Sequence, residues 1–129
     1  MNEYVTELLL KNAVCTVDEK LMELRNEYRE SGVPTLLTES LNELVLMARI
    51  KNPANILELG TATGCSAIAL LFACPDAALT TVEKFRKSAD EAARNFKTFG
   101  VDDRITQYVG DAVDIISNLN EKFDFVFLD

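Results

Sequence analysis

From Asn55 onward, short apolar runs alternate with helical stretches, and this alternation constrains the fold more than any other feature of the chain. Ile56-Leu57-Glu58-Leu59 has the length and composition of a buried strand, and residues 66–72 those of a helix. A second strand is expected over 78–82 and a long helix over 85–99, closed by Gly100. A third strand over 105–109, a helix over 112–119 and a fourth strand over 123–128 complete the pattern. Strand–helix–strand alternation of this kind implies an α/β fold with a parallel sheet and right-handed crossovers.

The first 50 residues are helical in pattern throughout. Tyr4, Val5, Leu8 and Leu9 repeat at helical spacing. Thr16, with Glu19 three residues on, predicts the cap of a second helix that runs through Leu21, Met22, Leu24 and Tyr28 to Gly32. Val33-Pro34 breaks it. Thr38 is the expected cap of a third helix, with Leu41, Leu44, Val45 and Met47 on one face. No internal repeat, low-complexity tract or linker interrupts the 129 residues.

Composition removes several function classes. The chain has no histidine, so it contains no Ser-His-Asp triad, Cys-His pair or histidine-ligated zinc site. A metal held here would need mostly oxygen ligands, as Mg²⁺ prefers. The net charge of -8 counts against broad binding to a phosphate backbone. Three cysteines, Cys15, Cys65 and Cys74, form no C-x-x-C pair and read as reduced thiols of a cytoplasmic protein. No apolar run reaches membrane-spanning length, and no secretion signal opens the chain.

Three strand ends carry the chemistry. Glu58-Leu59-Gly60-Thr61-Ala62-Thr63-Gly64 lies where the first strand turns into a helix, the place where open parallel sheets bind ligands. Gly60 permits close backbone approach to a ligand, and Gly64 tight packing at the helix start. Ala62 occupies the middle glycine of the dinucleotide fingerprint, which favours a ligand without a pyrophosphate; a purely structural turn would use the same glycines. Glu83 ends the second strand at the spacing from which an acid bonds ribose hydroxyls and repels a 2′-phosphate. Asp111, in Gly110-Asp111-Ala112, has two compatible uses, accepting from an adenine amino group and capping the next helix. Acidic strand ends without a phosphate-binding residue suit an adenosine ligand bearing a positive centre, such as S-adenosylmethionine.

With these residues in place, the chain from about Val33 to Asp129 resembles the metal-dependent O-methyltransferase family that includes catechol and caffeoyl-CoA O-methyltransferases. The matching stretches are Val33-Pro34, Ile56 through Thr61, Gly64-Cys65-Ser66, Thr81-Val82-Glu83, Asp102-Asp103-Arg104-Ile105, Gly110-Asp111-Ala112 and Phe123 through Asp129. Its helical N-terminus and the V-P-x-L stretch from Val33 look closest to bacterial members that methylate 5-hydroxyuridine in tRNA. Cys65 departs from the family's usual tyrosine.

The resemblance implies a Rossmann-like methyltransferase sheet, its first four strands preceded by N-terminal helices. Residues 1–52 would then pack on the sheet and cover the cofactor, and 53–129 would form the first half of the S-adenosylmethionine domain. It also implies cofactor contacts from Glu58, Gly60, Thr61, Ala62, Gly64 and Ser66 around the first strand. Glu83, Lys84, Asp111 and Ala112 would follow at the next two, with Leu37 covering the ligand. Asp129 would be the first acidic ligand of a divalent metal, Mg²⁺, with an Asp-Asn pair and a lysine expected after it.

Residues 123–129 read as a central strand, apolar on both faces, where a domain seldom stops. The chain is therefore expected to be an N-terminal fragment that keeps cofactor-facing geometry without methyl transfer of its own. Small phenolic hydroxyls and tRNA 5-hydroxyuridine are both open as acceptors, and a homodimer is expected. Two other readings compete: an NAD-dependent oxidoreductase, which would ordinarily have a glycine at position 62, and a non-catalytic nucleotide-binding or dimerisation module.

Overall fold

The computed structural model of the chain describes residues 3–4 and 18–129. The helix expected from Tyr4, Val5, Leu8 and Leu9 lies outside them, save for Tyr4, which is helical and exposed. Thr16, the expected cap of the next helix, lies outside them too. Helix α1, Glu19–Glu30, is capped by Asp18, whose carboxylate accepts the Leu21 amide at 3.1 Å. Aspartate caps as well as threonine does, and here it stands directly before the first helical residue.

Helix α2 spans Thr38–Lys51 with Leu37, not Thr38, at its cap and no side-chain capping bond. The Thr38 hydroxyl is instead an acceptor for Arg25 Nη1 at 3.1 Å. Leu41, Leu44, Val45 and Ala48 are buried, an i, i+3, i+4, i+7 stripe. Met47, expected on that face, falls off the stripe and is 54% exposed beside Leu46 and Ile50. Asn52 closes α2 in the left-handed region, φ 50°, immediately before Pro53.

Four strands follow: β1 Asn55–Leu59, β2 Ala78–Glu83, β3 Ile105–Val109 and β4 Phe125–Leu128. Helices α3 (Cys65–Ala73), α4 (Arg86–Thr98) and α5 (Ala112–Asn118) connect them in turn. All pairings are parallel, in the order β3-β2-β1-β4. The chain builds outward from β1 to β3 and then returns to the other side of β1, so the order reverses between β1 and β4. Ile56 and Leu79 meet Leu21, Leu41, Val45, Ile68, Ala92 and Phe96 in one core.

Two residues near the strand starts have structural work that the sequence did not disclose. Arg104 donates to the carbonyls of Ala77 at 3.0 Å, Leu71 at 3.1 Å and Cys74 at 2.5 Å. It thus ties the end of α3 to the start of β2, satisfying carbonyls that a helix end leaves unpaired. Asp124 accepts the amides of Ala54 at 3.0 Å and Asn55 at 2.8 Å, fixing the register of β4 on β1. Those two amides hold its carboxyl below the usual carboxylate range.

The fourth strand, expected to be a central one and apolar on both faces, packs by one face only among the described residues. Phe125 and Phe127 pack against the core, whereas Val126 and Leu128 stand on the opposite face, 52% and 69% exposed. Side chains alternate along a strand, and β4 pairs with β1 alone among the described residues. No described helix is long and apolar enough to cross a membrane.

Candidate functional site

The turn after β1 is held by β2. The amides of Gly60 and Thr61 both donate to the Val82 carbonyl, at 2.9 and 3.3 Å. Gly60 has φ 96°, and a Cβ there would stand 2.9 Å from the backbone oxygen of Asp129. Asp129 in turn donates its amide to the Leu59 carbonyl at 3.0 Å. Glycine is therefore required at position 60 by the approach of the chain itself. At Gly64, φ 86°, a Cβ would lie 2.5 Å from the Phe96 ring, which fulfils the expectation of tight packing where α3 begins.

Between the glycines, Ala62 adopts φ 48°, unusual for a residue with a side chain. That conformation presents its amide to Glu83 Oε2 at 2.8 Å. Glu83 Oε1 accepts the Phe85 amide at 3.0 Å, so both carboxylate oxygens are anchored by backbone. Each oxygen keeps a second acceptor direction. The Glu83 carbonyl also accepts the Gly110 amide at 2.9 Å, joining the ends of β2 and β3. Asp111 caps α5, accepting from Val113 and Asp114 at 2.9 and 3.3 Å, and Ala112 is its first residue. Lys84 follows Glu83 on the same rim as an exposed residue.

Beneath the turn lies a hydroxyl–carboxylate network. Glu58 is fully buried and accepts from Ser66 at 2.5 Å and Thr81 at 2.8 Å. The Thr81 hydroxyl also meets that of Thr61 at 2.6 Å. Burial pushes the Glu58 carboxyl up to about 7, and the charges of Asp129 and Glu83 push it the same way. The two hydroxyls oppose that rise. Glu58, Thr61 and Ser66 thus form the floor of the turn, with Ser66 8% exposed. Thr81, quoted from sequence only within a matching stretch, and Asn95 were given no site role there. Asn95 donates to the Thr63 carbonyl and to the Tyr28 hydroxyl, both at 2.8 Å, linking α4, the turn and α1. Only their polarity at buried positions of a strand and a helix could have signalled them.

A cleft opens beside the turn. Pro34, Thr35 and Leu36 form one wall, Thr61, Ala62 and Thr63 the other, with Ser66, Arg25 and Asp129 at its ends. Leu37 lies just outside this lining and is 55% exposed. The structure therefore gathers Gly60, Thr61, Ala62, Ser66 and Asp129 at the β1–β4 crevice, and Glu83, Lys84, Asp111 and Ala112 along the neighbouring strand ends. Partial burial raises the Asp129 carboxyl. The described residues hold no group of three or more acidic or cysteine side chains able to bind an ion. Asp129 is a single carboxylate at the rim, and a hard cation takes several oxygen ligands.

A parallel sheet with its glycine turn at the strand-order reversal and an acid at the next strand end defines a doubly wound α/β protein, with its crevice where such sheets bind ligands. Comparison narrows that class. Residues 12–129 match the model of the O-methyltransferase family. The chain is 32% identical to a catechol O-methyltransferase of Niastella koreensis, over the whole chain and 59% of that protein. It superposes on the O-methyltransferase TomG of Streptomyces achromogenes, solved with S-adenosylmethionine, with TM-score 0.81 and 32% identity, covering 100% of this chain and 63% of that one. An O-methyltransferase of Bacillus cereus, solved with S-adenosylhomocysteine, gives TM-score 0.81 at 28% identity, covering 98% and 60%. The chain belongs to the O-methyltransferase family, and it spans about three fifths of the length of these relatives.

Proposed function

We propose that this chain forms the S-adenosylmethionine-binding part of an O-methyltransferase. The observation that carries the reading is the anchoring of the Gly60–Gly64 turn by Glu83 at the strand-order reversal. In this reading Glu83 accepts the ribose 2′- and 3′-hydroxyls with its remaining lone pairs, and Asp111 receives the adenine amino group while capping α5. The amino-acid end lies over Gly60, Thr61, Ala62 and Ser66, with Glu58 and Gly64 shaping the turn beneath. Lys84 and Ala112 border the adenosine, and Leu37 covers it. The 1–52 helices and the 53–129 sheet then act as cover and platform.

The bound cofactor supplies an electrophilic methyl group on a sulfonium. In-line attack by an acceptor oxygen forms the O–CH₃ bond, breaks the S–CH₃ bond, and leaves S-adenosylhomocysteine and the acceptor's proton. The chain's residues hold the sulfonium end against the crevice and orient it for that approach. The proposed acceptor is a hydroxyl of a small phenolic or catechol-like molecule, or 5-hydroxyuridine in tRNA. The proposed state of the whole protein is a cytoplasmic homodimer, and any divalent ion at Asp129 would draw on ligands other than those described.

Calorimetric titration tests the reading. Saturable one-to-one binding of S-adenosylhomocysteine, with no heat from NAD, is the expected result. Binding of NAD alone would overturn it.

A further inference from the structure

Among the described residues, Arg25 is the only basic side chain in the buried interior, 1% exposed. It extends from α1 beneath residues 33–37, where Nη2 donates to the Leu36 carbonyl and Nη1 to the Thr38 hydroxyl at 3.1 Å. No carboxylate pairs with it among the described residues. Glu39 favours its charge from beyond ion-pair distance, but burying a cation is costly, so its hydrogen bonds to this segment are what chiefly compensate its placement. The segment it holds has no regular structure of its own, yet it forms one wall of the cleft whose other wall is Thr61–Thr63. Two polar atoms at this cleft, Arg25 Nε and Thr35 Oγ1, are buried without a partner. Buried unsatisfied groups are rare and point to a missing water or ligand atom.

We infer that Arg25 is a positioning residue that sets the height of the 33–37 segment over the β1 turn, and thereby the affinity for the ligand's β1-facing end. This rests on the S-adenosyl site proposed above. Arg25 lines the cleft and hydrogen-bonds to Leu36 and Thr38, with no hydrogen bond to the strand ends that carry Glu83 and Asp111. Its effect is therefore confined to the amino-acid end of the cofactor and leaves the adenosine end unchanged.

Two ligands separate these ends: S-adenosylhomocysteine, which has both, and 5′-methylthioadenosine, which lacks the amino-acid end. In Arg25→Met, S-adenosylhomocysteine binds about 10- to 30-fold more weakly, on the order expected for losing hydrogen bonds from a charged group. Binding of 5′-methylthioadenosine changes by less than about twofold, within the scatter of unaffected contacts. Arg25→Lys restores part of the loss, since one ammonium replaces part of the fork. Thr38→Val keeps the guanidinium in place and guards against a misfolded Met variant; it weakens S-adenosylhomocysteine about threefold. An equal loss for both ligands, or an unchanged S-adenosylhomocysteine affinity with a lowered melting temperature, would show a merely structural arginine and overturn the inference. If the unsubstituted protein bound no S-adenosylhomocysteine, the proposed function itself would fail, before any variant is compared, and this inference with it.

Discussion

The Glu83 carboxylate accepts the Ala62 amide at 2.8 Å, linking the end of β2 to the glycine turn that follows β1. One acid therefore holds the turn in its φ 48° conformation, and in the proposed function its remaining lone pairs accept the ribose hydroxyls. Glu83→Ala removes both roles. We expect S-adenosylhomocysteine affinity to fall by a factor on the order of 100 and stability by about 1–3 kcal/mol, the cost of stranding a buried donor. Titration calorimetry and urea unfolding measure the two losses. A large affinity loss without any stability loss would contradict the double role.

Glu58 makes stability depend on pH in the direction opposite to most carboxylates. Its folded-state value of about 7 lies above the ordinary 4.5, because burial disfavours the charge. The neutral acid is thus favoured by folding. Its contribution is complete below about pH 4.5 and is lost as pH rises through about 7. The loss is on the order of 3 kcal/mol at most, since each tenfold change in proton affinity is worth about 1.4 kcal/mol. Urea unfolding at pH 5 and pH 8.5 should show this decline, and Glu58→Gln should flatten it. A variant profile parallel to that of the unsubstituted protein would count against a neutral Glu58 in the folded state.

Gly64 and Gly100 form a matched pair of substitutions. Both have positive φ, but a Cβ at Gly64 meets the Phe96 ring at 2.5 Å, whereas one at Gly100 meets nothing within 4 Å. Gly100→Ala should cost about 1 kcal/mol from backbone conformation alone. Gly64→Ala adds overpacking of about 1–3 kcal/mol. Equal melting temperatures for the two variants would show that the α3–α4 contact yields freely.

Arg104→Met should destabilise the fold by about 2–4 kcal/mol, since it strands three carbonyls at the α3–β2 junction. Ligand affinity should be unaffected, because the junction lies at the opposite end of the strands from the crevice. Unfolding curves and calorimetry on one preparation decide both points.

Most of the sheet and its order of elements was legible in the sequence, because buried parallel strands write themselves as apolar runs between helical stretches. The glycine turn, Glu83 and the Asp111 cap were legible for the same reason: each sits at a strand end where few other residue types serve. The caps of α1 and α2 were not, because aspartate and threonine compete as caps, and because Arg25, remote in sequence, engages the Thr38 hydroxyl. Met47 shows that apolarity without the right helical phase does not bury a residue. The bonds made by Arg104, Asp124, Thr81 and Asn95 join residues far apart in the chain, and no local pattern encodes them.

Backbone amide shifts during a titration with S-adenosylhomocysteine test the central claim, a nucleoside site at the carboxyl ends of the strands, most directly. Saturable shifts are expected at Gly60, Ala62, Lys84 and Asp111, following one binding curve, while the amides of Ala54 and Asn55 at the other end of the sheet stay still. Shifts clustered away from the carboxyl ends of β1, β2 and β3, or none at saturating ligand, would contradict it.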